Sequence, residues 1–376
     1  MRCPMITLID RYIVKEWCKA MGVALMLIMG ILILEDMYKY LKTFIEKGAS
    51  LSTLMTYYTF MIPNCFHTIL PVAFFISVLY VLNDMQAHNE VAALRAAGLT
   101  IFRITLSFWC VAASLTICML IFNIQVLPYA ADRIQSIVRS IDYNDQKRRH
   151  LTPNAIGVES NLSFYNAQKH RLWFFSQFSL YTYSGTYATL CLLDEQGKEV
   201  ERINARSVRF DNYRNIWIFN EGKRWIFNKN HYEPTRFIAF DEYAIRCDDT
   251  PHLMKIANTP LKSLNMNDLK LILKFAPLHH ACFLEHRVKY YSILSSPLIL
   301  FMTVLLAVPF SLTGVRNNPM VGISKAAGLF FCYYIFSSLG RTLGAQGILS
   351  PLWAAWLPNI LMLIVGIFLY KQLAPK

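Results

Sequence analysis

Apolar residues in this chain are concentrated in long runs and are not spread at the spacing of a soluble core. Three such runs lie before about residue 128, and three more follow about residue 288. A helix needs roughly 20 apolar residues to cross the hydrocarbon core of a bilayer, and each run supplies about that many. The pattern therefore predicts a membrane protein with two groups of three spans.

The limits of the predicted spans follow from the charges and prolines beside them. Their approximate bounds are 17–34, 51–82, 104–127, 290–312, 326–344 and 348–370. Pro63 and Pro71 lie inside the second span, where neighbouring membrane helices compensate for a lost backbone hydrogen bond. We expect the third span to end at Pro128.

Residues 130 to about 260 follow a different and more polar pattern. Apolar and polar residues alternate over 207–211 and 215–220, which is typical of strands with one buried face. Glycine-containing turn signals occur at 194–198 and 220–223. Several short strands of this kind predict a sandwich, a jelly roll or an open barrel.

Basic residues in the short loops set the expected orientation. An even number of spans places both termini on one side, where most of these residues fall: Arg11, Lys15, Lys19, Arg95, Arg103, Arg316, Lys325 and Lys371. Three lysines on the opposite side do not follow this pattern: Lys39, Lys42 and Lys47. Because cytoplasmic loops carry the excess of Lys and Arg, we expect cytoplasmic termini and an external middle domain.

The predicted fold is an α+β membrane protein with six transmembrane helices, three plus three, around an inserted extracytoplasmic β-jellyroll-like domain. Residues 1–128 hold the first three helices, with a short cytoplasmic helix at about 84–98. Residues 129–262 form the β domain. Residues 263–376 hold an amphipathic linker helix and the last three membrane helices.

Composition argues against several other classes of function. The net charge of +13 comes from dispersed Lys and Arg without a long basic run, so we expect lipid contact and no nucleic acid. His279, His280 and His286 lack the cysteine or carboxylate spacing of a metal site. Cys191 and Cys247 of the middle domain are either a disulfide or two free thiols. No arrangement typical of a hydrolase occurs.

An alanine-rich segment at 90–98 joins the second and third spans on the cytoplasmic side. Val91, Leu94 and Ala96 favour a short helix, and Glu90 suits its positive N-terminal end. One interpretation is a plain interhelical turn. The other is a coupling helix, which is a rigid cytoplasmic knob that docks into a partner and transmits force.

Four segments of the chain resemble the LptF/LptG family, the permease subunits of the lipopolysaccharide exporter. They lie at 10–13, 89–98, 307–311 and 356–359. Their order and the three-plus-three layout extend the resemblance over essentially the whole chain. The residues at 316–320 lean toward LptG over LptF.

The resemblance implies a transporter whose ATPase is a separate chain. Family members pair an LptF with an LptG subunit in the bacterial inner membrane, sit on a dimer of the ATPase LptB, and work with the single-span protein LptC. This sequence has no GxxxxGK[ST] phosphate loop, so we expect a non-enzymatic subunit without a cofactor, with ATP bound by the partner. Glu90 matches the family's ATPase-contacting acid, and Arg95 and Gly98 complete its helix.

The resemblance also implies residues that contact lipopolysaccharide. Lys39 and Lys42 would meet its phosphates, or they are simply solvated charges at a helix end. Asp36 departs from the family pattern, because a cation is expected there in LptG.

Aromatic residues of the middle domain have two interpretations. Phe210, Trp217 and Phe219 either fill an ordinary β core or, as the resemblance implies, line an open slide for acyl chains, where burying each methylene yields roughly 0.8 kcal/mol. The sequence alone leaves both interpretations open.

The sequence thus predicts the permease subunit of an ATP-driven transporter that extracts lipopolysaccharide from the inner membrane and passes it to a periplasmic bridge toward the outer membrane. An LptF-type sibling of the same complex is an alternative. An ion-coupled secondary transporter would need polar or ionisable residues near the midplane, and the deep spans offer only Asn64, His67 and Arg341, which argues against this function. An anchor for the β domain would not need six spans.

Overall fold

The structure is a computed structural model, and it describes residues 8–148, 158–179, 183–227, 234–275, 281–312 and 319–372. The chain separates into two compact units. The helical unit comprises Met1–Glu46, Ser50–Ile134 and Arg287–Lys376, and the β unit comprises Lys47–Ala49 and Gln135–His286.

The described helices follow the predicted runs. They are α1 (Leu8–Asp36), α2 (Lys42–Glu46), α3 (Leu51–Ala87), α4 (Glu90–Ala96), α5 (Ile101–Arg148), α6 (Pro251–Ala257), α7 (Met266–Phe275), α8 (Ala281–Ser295), α9 (Ile299–Ser311), α10 (Pro319–Ala345) and α11 (Pro351–Gln372). A π-helical turn, Met37–Leu41, joins α1 to α2. Within the described residues, six helical segments are long and apolar enough to cross a membrane. This confirms the predicted class of fold.

The third span continues beyond its expected end. Pro128 lies inside α5, which runs on to Arg148. Proline removes one backbone hydrogen bond and kinks a helix, but the residues on both sides keep theirs. The helix therefore continues past Pro128, where we expected the third span to end.

Burial within the helical unit differs strongly between the spans. The most apolar windows of α3 and of the α8–α9 span are 61% and 72% buried, whereas those of α1 and α10 are only 11% and 17% buried. Trp17 of α1 donates a hydrogen bond to Ser77 of α3 at 3.0 Å, so one face of α1 is attached to the central helix. The other apolar surface of α1 is open to lipid or to another protein.

The GxxxG pattern at Gly340 and Gly344 marks a close helix contact. A Cβ atom on Gly340 would lie 2.6 Å from the carbonyl oxygen of Ala354 in α11, and one on Gly344 would lie against the Cβ of the same residue. Small residues let helix backbones approach in this way. The two glycines therefore allow α10 and α11 to pack closely.

The β unit contains a single antiparallel sheet of the described strands. They are β1 (Val158–Asn166), β2 (Arg171–Ser179), β3 (Ser184–Leu193), β4 (Glu199–Asp211), β5 (Ile216–Phe227) and β6 (Pro234–Arg246). Each strand pairs with its neighbours in sequence, so the described order is a meander. A jelly roll would place strands from distant parts of the sequence side by side in two sheets. The predicted β architecture is present, with this simpler connectivity.

The sheet curls over its own inner face. Trp173 of β2 and Trp217 of β5 have ring centroids 4.8 Å apart, although two strands lie between them. In a flat sheet, three strand spacings would separate these positions by about 14 Å. The curl therefore closes an aromatic core between strands that are not neighbours.

A row of residues with unusual backbone angles runs across the curled sheet. Asn161, Tyr187 and Glu221 have positive φ angles of 57°, 50° and 52° in alternate strands. The registers place them on one level across the sheet, opposite Ser176 and Arg206. At this level, the alternation of buried and exposed side chains along the strands shifts by one residue. β-bulges cause the same kind of shift, and they bend strands.

The main segment of the β unit is displaced along the sequence from the expected limits. It begins at Gln135 and ends at His286, whereas we expected 129 and 262. The predicted linker helix α7 packs into this unit, because Leu269 and Ile272 are buried and the Gln168 side chain donates to the Lys274 carbonyl at 2.8 Å. These are contacts between distant residues, which composition does not reveal.

Candidate functional site

Helix α4 is held by apolar side chains on one face and presents small residues on the other. Val91 is 3% exposed, and Leu94 packs against the core of the helical unit. The exposed residues of the segment are Ala92, Ala93, Arg95, Ala96, Ala97 and Gly98. A firmly seated helix with a surface of alanines allows another protein to approach its backbone closely.

Both ends of α4 are set by backbone geometry. Asn89 precedes the helix in the left-handed conformation, with φ of 58°. Gly98 has φ of 87° and its N–H donates to the Arg95 carbonyl at 3.0 Å. The Leu99 N–H donates to the Leu94 carbonyl at 3.1 Å, which completes a Schellman motif. The helix is thus shorter than the expected 84–98, because residues 84–87 belong to α3.

Glu90 is connected to the first membrane helix. The hydroxyl of Tyr12 in α1 donates a hydrogen bond to the Glu90 carboxylate at 3.0 Å. Hydrogen bonds to an ionised carboxylate are among the stronger ones in proteins. The sequence analysis identified Glu90 but not its partner, because the two residues are far apart in the chain.

A second link joins the same end of α1 to the start of α5. Arg103 donates from both terminal nitrogens to the two Asp10 carboxylate oxygens, each at 2.8 Å. Ser107 donates to one of these oxygens, also at 2.8 Å. Bidentate pairs of this kind fix orientation as well as distance. Together, Asp10, Tyr12, Glu90, Arg103 and Ser107 form what we call the coupling clamp.

The lysines expected to meet lipid phosphates are already paired with acids. Lys39 lies 2.5 Å from Glu35 and Lys42 lies 3.9 Å from Glu46, both one helical turn apart. The side chains remain largely exposed, so these pairs are weak and exchange with water. Phosphate contact by Lys39 and Lys42 stays a prediction, and it would have to compete with Glu35 and Glu46.

The aromatic residues expected to contact acyl chains lie inside the β core. Trp217 and Phe219 are fully buried, and Phe210 is 6% exposed. The rings of Phe210 and Trp217 have centroids 4.9 Å apart, and the Trp173 ring packs on the other side. The structure brings these three residues together in the packed core of the sheet, and their contact with acyl chains stays a prediction.

Asp249 is an organising residue of the β unit that the sequence analysis missed. Its fully buried carboxylate accepts hydrogen bonds from the Trp173 indole at 3.0 Å and the Asn166 amide at 2.5 Å. Its backbone carbonyl accepts from the Trp217 indole at 2.8 Å. The residue follows the last strand among other polar residues, so no periodicity distinguishes it.

The cysteine and histidine candidates of the sequence are only partly covered by the structure. Cys191 and Cys247 are unbonded and buried, and burial raises the pKa of each thiol to about 11. His279 and His280 lie outside the described residues. Within the part of the chain that the structure describes, no group of three metal-ligating side chains occurs.

Comparison with known protein families matches residues 11–372 to the lipopolysaccharide export system permease LptF/LptG. The chain belongs to this family. A comparison with curated proteins finds no match. As an LptF/LptG permease, the chain is a multi-pass transporter subunit and not an enzyme, and this confirms the sequence interpretation at that level.

The segments that carry the resemblance to LptF/LptG permeases lie where helices are joined. Residues 10–13 contribute Asp10 and Tyr12 to the coupling clamp. In α9, the buried Ser311 accepts a hydrogen bond from Asn83 of α3 at 3.3 Å. In α11, the buried Asn359 accepts from Tyr333 of α10 at 2.9 Å and donates to the Ser295 carbonyl at 3.2 Å. These polar contacts tie the second-half helices to one another and to α3.

Proposed function

We propose that this chain is the membrane-spanning subunit of an ATP-driven transporter that extracts lipopolysaccharide from the inner membrane, with α4 as its coupling helix. The observation that carries the proposal is the exposed alanine surface of α4, tied to the first span through Tyr12 and Glu90. Such a surface suits docking by a separate ATPase, whose chemistry this chain lacks.

The coupling clamp provides a route from the docking surface to the membrane helices. A displacement of α4 reaches α1 through the Tyr12–Glu90 hydrogen bond, and the Asp10–Arg103 pair makes the start of α5 move with it. Because the contacts are short and charged, the three elements move as a unit. Closure of the ATPase dimer would in this way shift the first span.

The exposed spans fit a lateral entry route for the lipid. In the single chain, α1 and α10 are the least buried spans. We propose that lipid enters between α1 of one subunit and the fifth span of its sibling. Closure of that gap then moves the lipid toward the β unit and on to an LptC-like single-span protein.

The proposed assembly contains this chain, a sibling permease and an LptB-like ATPase dimer in the bacterial inner membrane. Both termini and α4 lie in the cytoplasm, and the β unit lies in the periplasm. We favour the LptG role because of residues 316–320, of which 316–318 lie outside the described part of the structure.

Replacement of Glu90 by Arg tests this proposal. It reverses the charge facing Tyr12 at the head of α4, so lipid-stimulated ATP hydrolysis by the purified complex should fall strongly. Glu195→Arg is the control, because Glu195 is an exposed acid in the turn between β3 and β4. Unchanged co-purification of the ATPase together with unchanged transport in the Glu90→Arg variant would contradict the proposal.

A further inference from the structure

The loop between the first two membrane spans is part of the β unit. Its residues, Lys47–Ala49, follow α2 and precede α3, yet they group with Gln135–His286 and not with either helix. A segment of three residues has no core of its own. Contacts with the rest of the β unit therefore hold this loop in place.

Lys47 makes the first of these contacts. Its Nζ atom lies 2.6 Å from the Oδ1 atom of Asp142, which is in the last part of α5. The two side chains are 32% and 43% exposed, and ion pairs of this kind contribute little to stability. The pair nevertheless joins positions 95 residues apart. It therefore determines where the loop lies more than how stable the fold is.

Gly48 makes the second contact. Its φ angle of 73° is in the left-handed region, which glycine adopts without steric cost. A Cβ atom at this position would overlap the guanidinium group of Arg148, which follows Asp142 in α5. The guanidinium therefore lies directly against the backbone of the loop. Lys47 and Gly48 thus attach the loop to α5 at two points.

The part of α5 that contacts the loop is fixed within the β unit. The side-chain amide of Gln135 donates a hydrogen bond to the Ser263 hydroxyl at 2.8 Å. Ile141, the neighbour of Asp142, is 3% exposed. The loop is therefore attached to a packed segment of the β unit.

The chain that leads into the loop is helical over its described length. The segment Leu8–Glu46 contains α1, the π-helical turn and α2, and Lys47 follows it directly. Rigid helices and ion pairs are the kinds of element that carry coupling between distant sites. A displacement of the first span thus reaches Lys47 through the helix and Asp142 through the ion pair.

We propose that Lys47, Gly48, Asp142 and Arg148, which we call the loop clamp, are positioning residues that couple the first span to the β unit during lipid transfer. This inference rests on the proposed transport function. The residues of the loop clamp are distinct from the surface of α4 and from the coupling clamp. Loss of the loop clamp should therefore reduce the lipid transferred per ATP hydrolysed and leave ATP hydrolysis itself unchanged.

The test uses the complete transporter, purified through a tag on this chain and reconstituted in vesicles that contain lipopolysaccharide. Lys47→Glu places a second carboxylate beside Asp142. It should reduce the lipopolysaccharide extracted per ATP hydrolysed about fivefold or more, which is the lower end of typical coupling between sites. The rate of ATP hydrolysis and the melting temperature of the complex should not change. Lys198→Glu is the matched control, because it reverses the charge of an exposed lysine in the turn between β3 and β4.

An exchange of charges shows whether Lys47 acts through Asp142. Lys47→Glu combined with Asp142→Lys rebuilds the ion pair with reversed polarity and should recover most of the lost extraction, whereas Asp142→Lys alone should not. If Lys47→Glu prevents folding, Lys47→Gln and Asp142→Asn remove the attraction without adding repulsion, and each should lower the same ratio. Gly48→Ala, which displaces the Arg148 guanidinium, should lower it as well.

An unchanged ratio of extraction to ATP hydrolysis in the single variants of Lys47 and Asp142 would overturn the inference. So would a double variant no better than the single ones, or losses that follow a lower melting temperature in every variant, because the contacts would then be structural only. If the unmodified complex extracts no lipopolysaccharide, the proposed function fails and this inference fails with it. Normal extraction by the unmodified chain and by all variants overturns this inference alone.

Discussion

The Tyr12 hydroxyl donates to the Glu90 carboxylate at 3.0 Å, and this hydrogen bond joins the first membrane helix to the short helix between the second and third. Only 11% of the most apolar window of α1 is buried within the chain. Its end near Tyr12 is different, because Asp10 is held there by Arg103 and Ser107. One end of α1 is therefore fixed to the coupling helix while most of its length is open to lipid or to a sibling chain.

Replacement of Tyr12 by Phe should weaken coupling without disrupting the fold. The substitution removes one hydrogen bond worth about 0.5–1.5 kcal/mol. We expect lipid-stimulated ATP hydrolysis by the assembled complex to fall about two- to tenfold, which is that energy expressed as a ratio. Tyr80→Phe is the control, because Tyr80 is an exposed tyrosine of α3. Equal lipid-stimulated ATP hydrolysis in both variants would show that the Tyr12 hydrogen bond does not contribute to coupling.

Replacement of Gly344 by Ala should destabilise the helical unit. A Cβ there would collide with Ala354 of α11 and Val288 of α8, and such overpacking costs about 1–3 kcal/mol. Gly328 lies on the same helix, and a Cβ added to it would have no atom within 4 Å, so Gly328→Ala should be neutral or stabilise by up to about 1 kcal/mol. Thermal unfolding of both variants in one detergent measures the difference. A lower melting temperature for Gly328→Ala than for Gly344→Ala would contradict the packing.

Replacement of Asp249 by Ala should destabilise the β unit. The Trp173 indole and the Asn166 amide would lose their acceptor inside the core, at a cost of about 1–3 kcal/mol for each unsatisfied group. Asp248→Ala should cost little, because the Asp248 side chain is 81% exposed and only a distant ion pair involves it. Tryptophan fluorescence during denaturant unfolding of the full chain distinguishes the two. Equal midpoints would contradict the role assigned to Asp249.

The thiols of Cys191 and Cys247 should react slowly in the folded protein. Burial raises the pKa of both from the ordinary 9.0 to about 11. Because the thiolate is the reactive form, the reactive fraction at pH 8 falls about 100-fold, before any effect of restricted access. Alkylation followed by peptide mass spectrometry measures the rate, and unfolding should abolish the protection. Rapid labelling of the native protein, or a disulfide between these residues, would be the opposite result.

Local signals explain why the spans and α4 could be predicted from the sequence. The length of an apolar run decides whether a helix can cross a bilayer, and that length is visible residue by residue. The start of α4 at Glu90 and its end before Gly98 depend on adjacent backbone geometry.

Contacts between distant residues explain what the sequence did not reveal. The Trp173–Trp217 contact depends on the curl of the sheet, so the sequence left open whether Phe210, Trp217 and Phe219 form a core or a groove. The hydrogen-bonding partners of Glu90 and Asp249 likewise come from other parts of the chain. The sequence also did not reveal that α5 continues past Pro128. A long helix tolerates the loss of one backbone hydrogen bond.

The central claim is that α4 is the docking surface for a separate ATPase. A photo-crosslinking amino acid placed at the exposed Ala96 tests it directly, with Ser52 at the other end of α3 as the control position. In intact cells, the account predicts that position 96 crosslinks to a nucleotide-binding subunit and that position 52 does not. Labelling of position 96 by a reagent confined to the outside of the membrane would contradict the claim, as would crosslinks from position 96 to lipid alone.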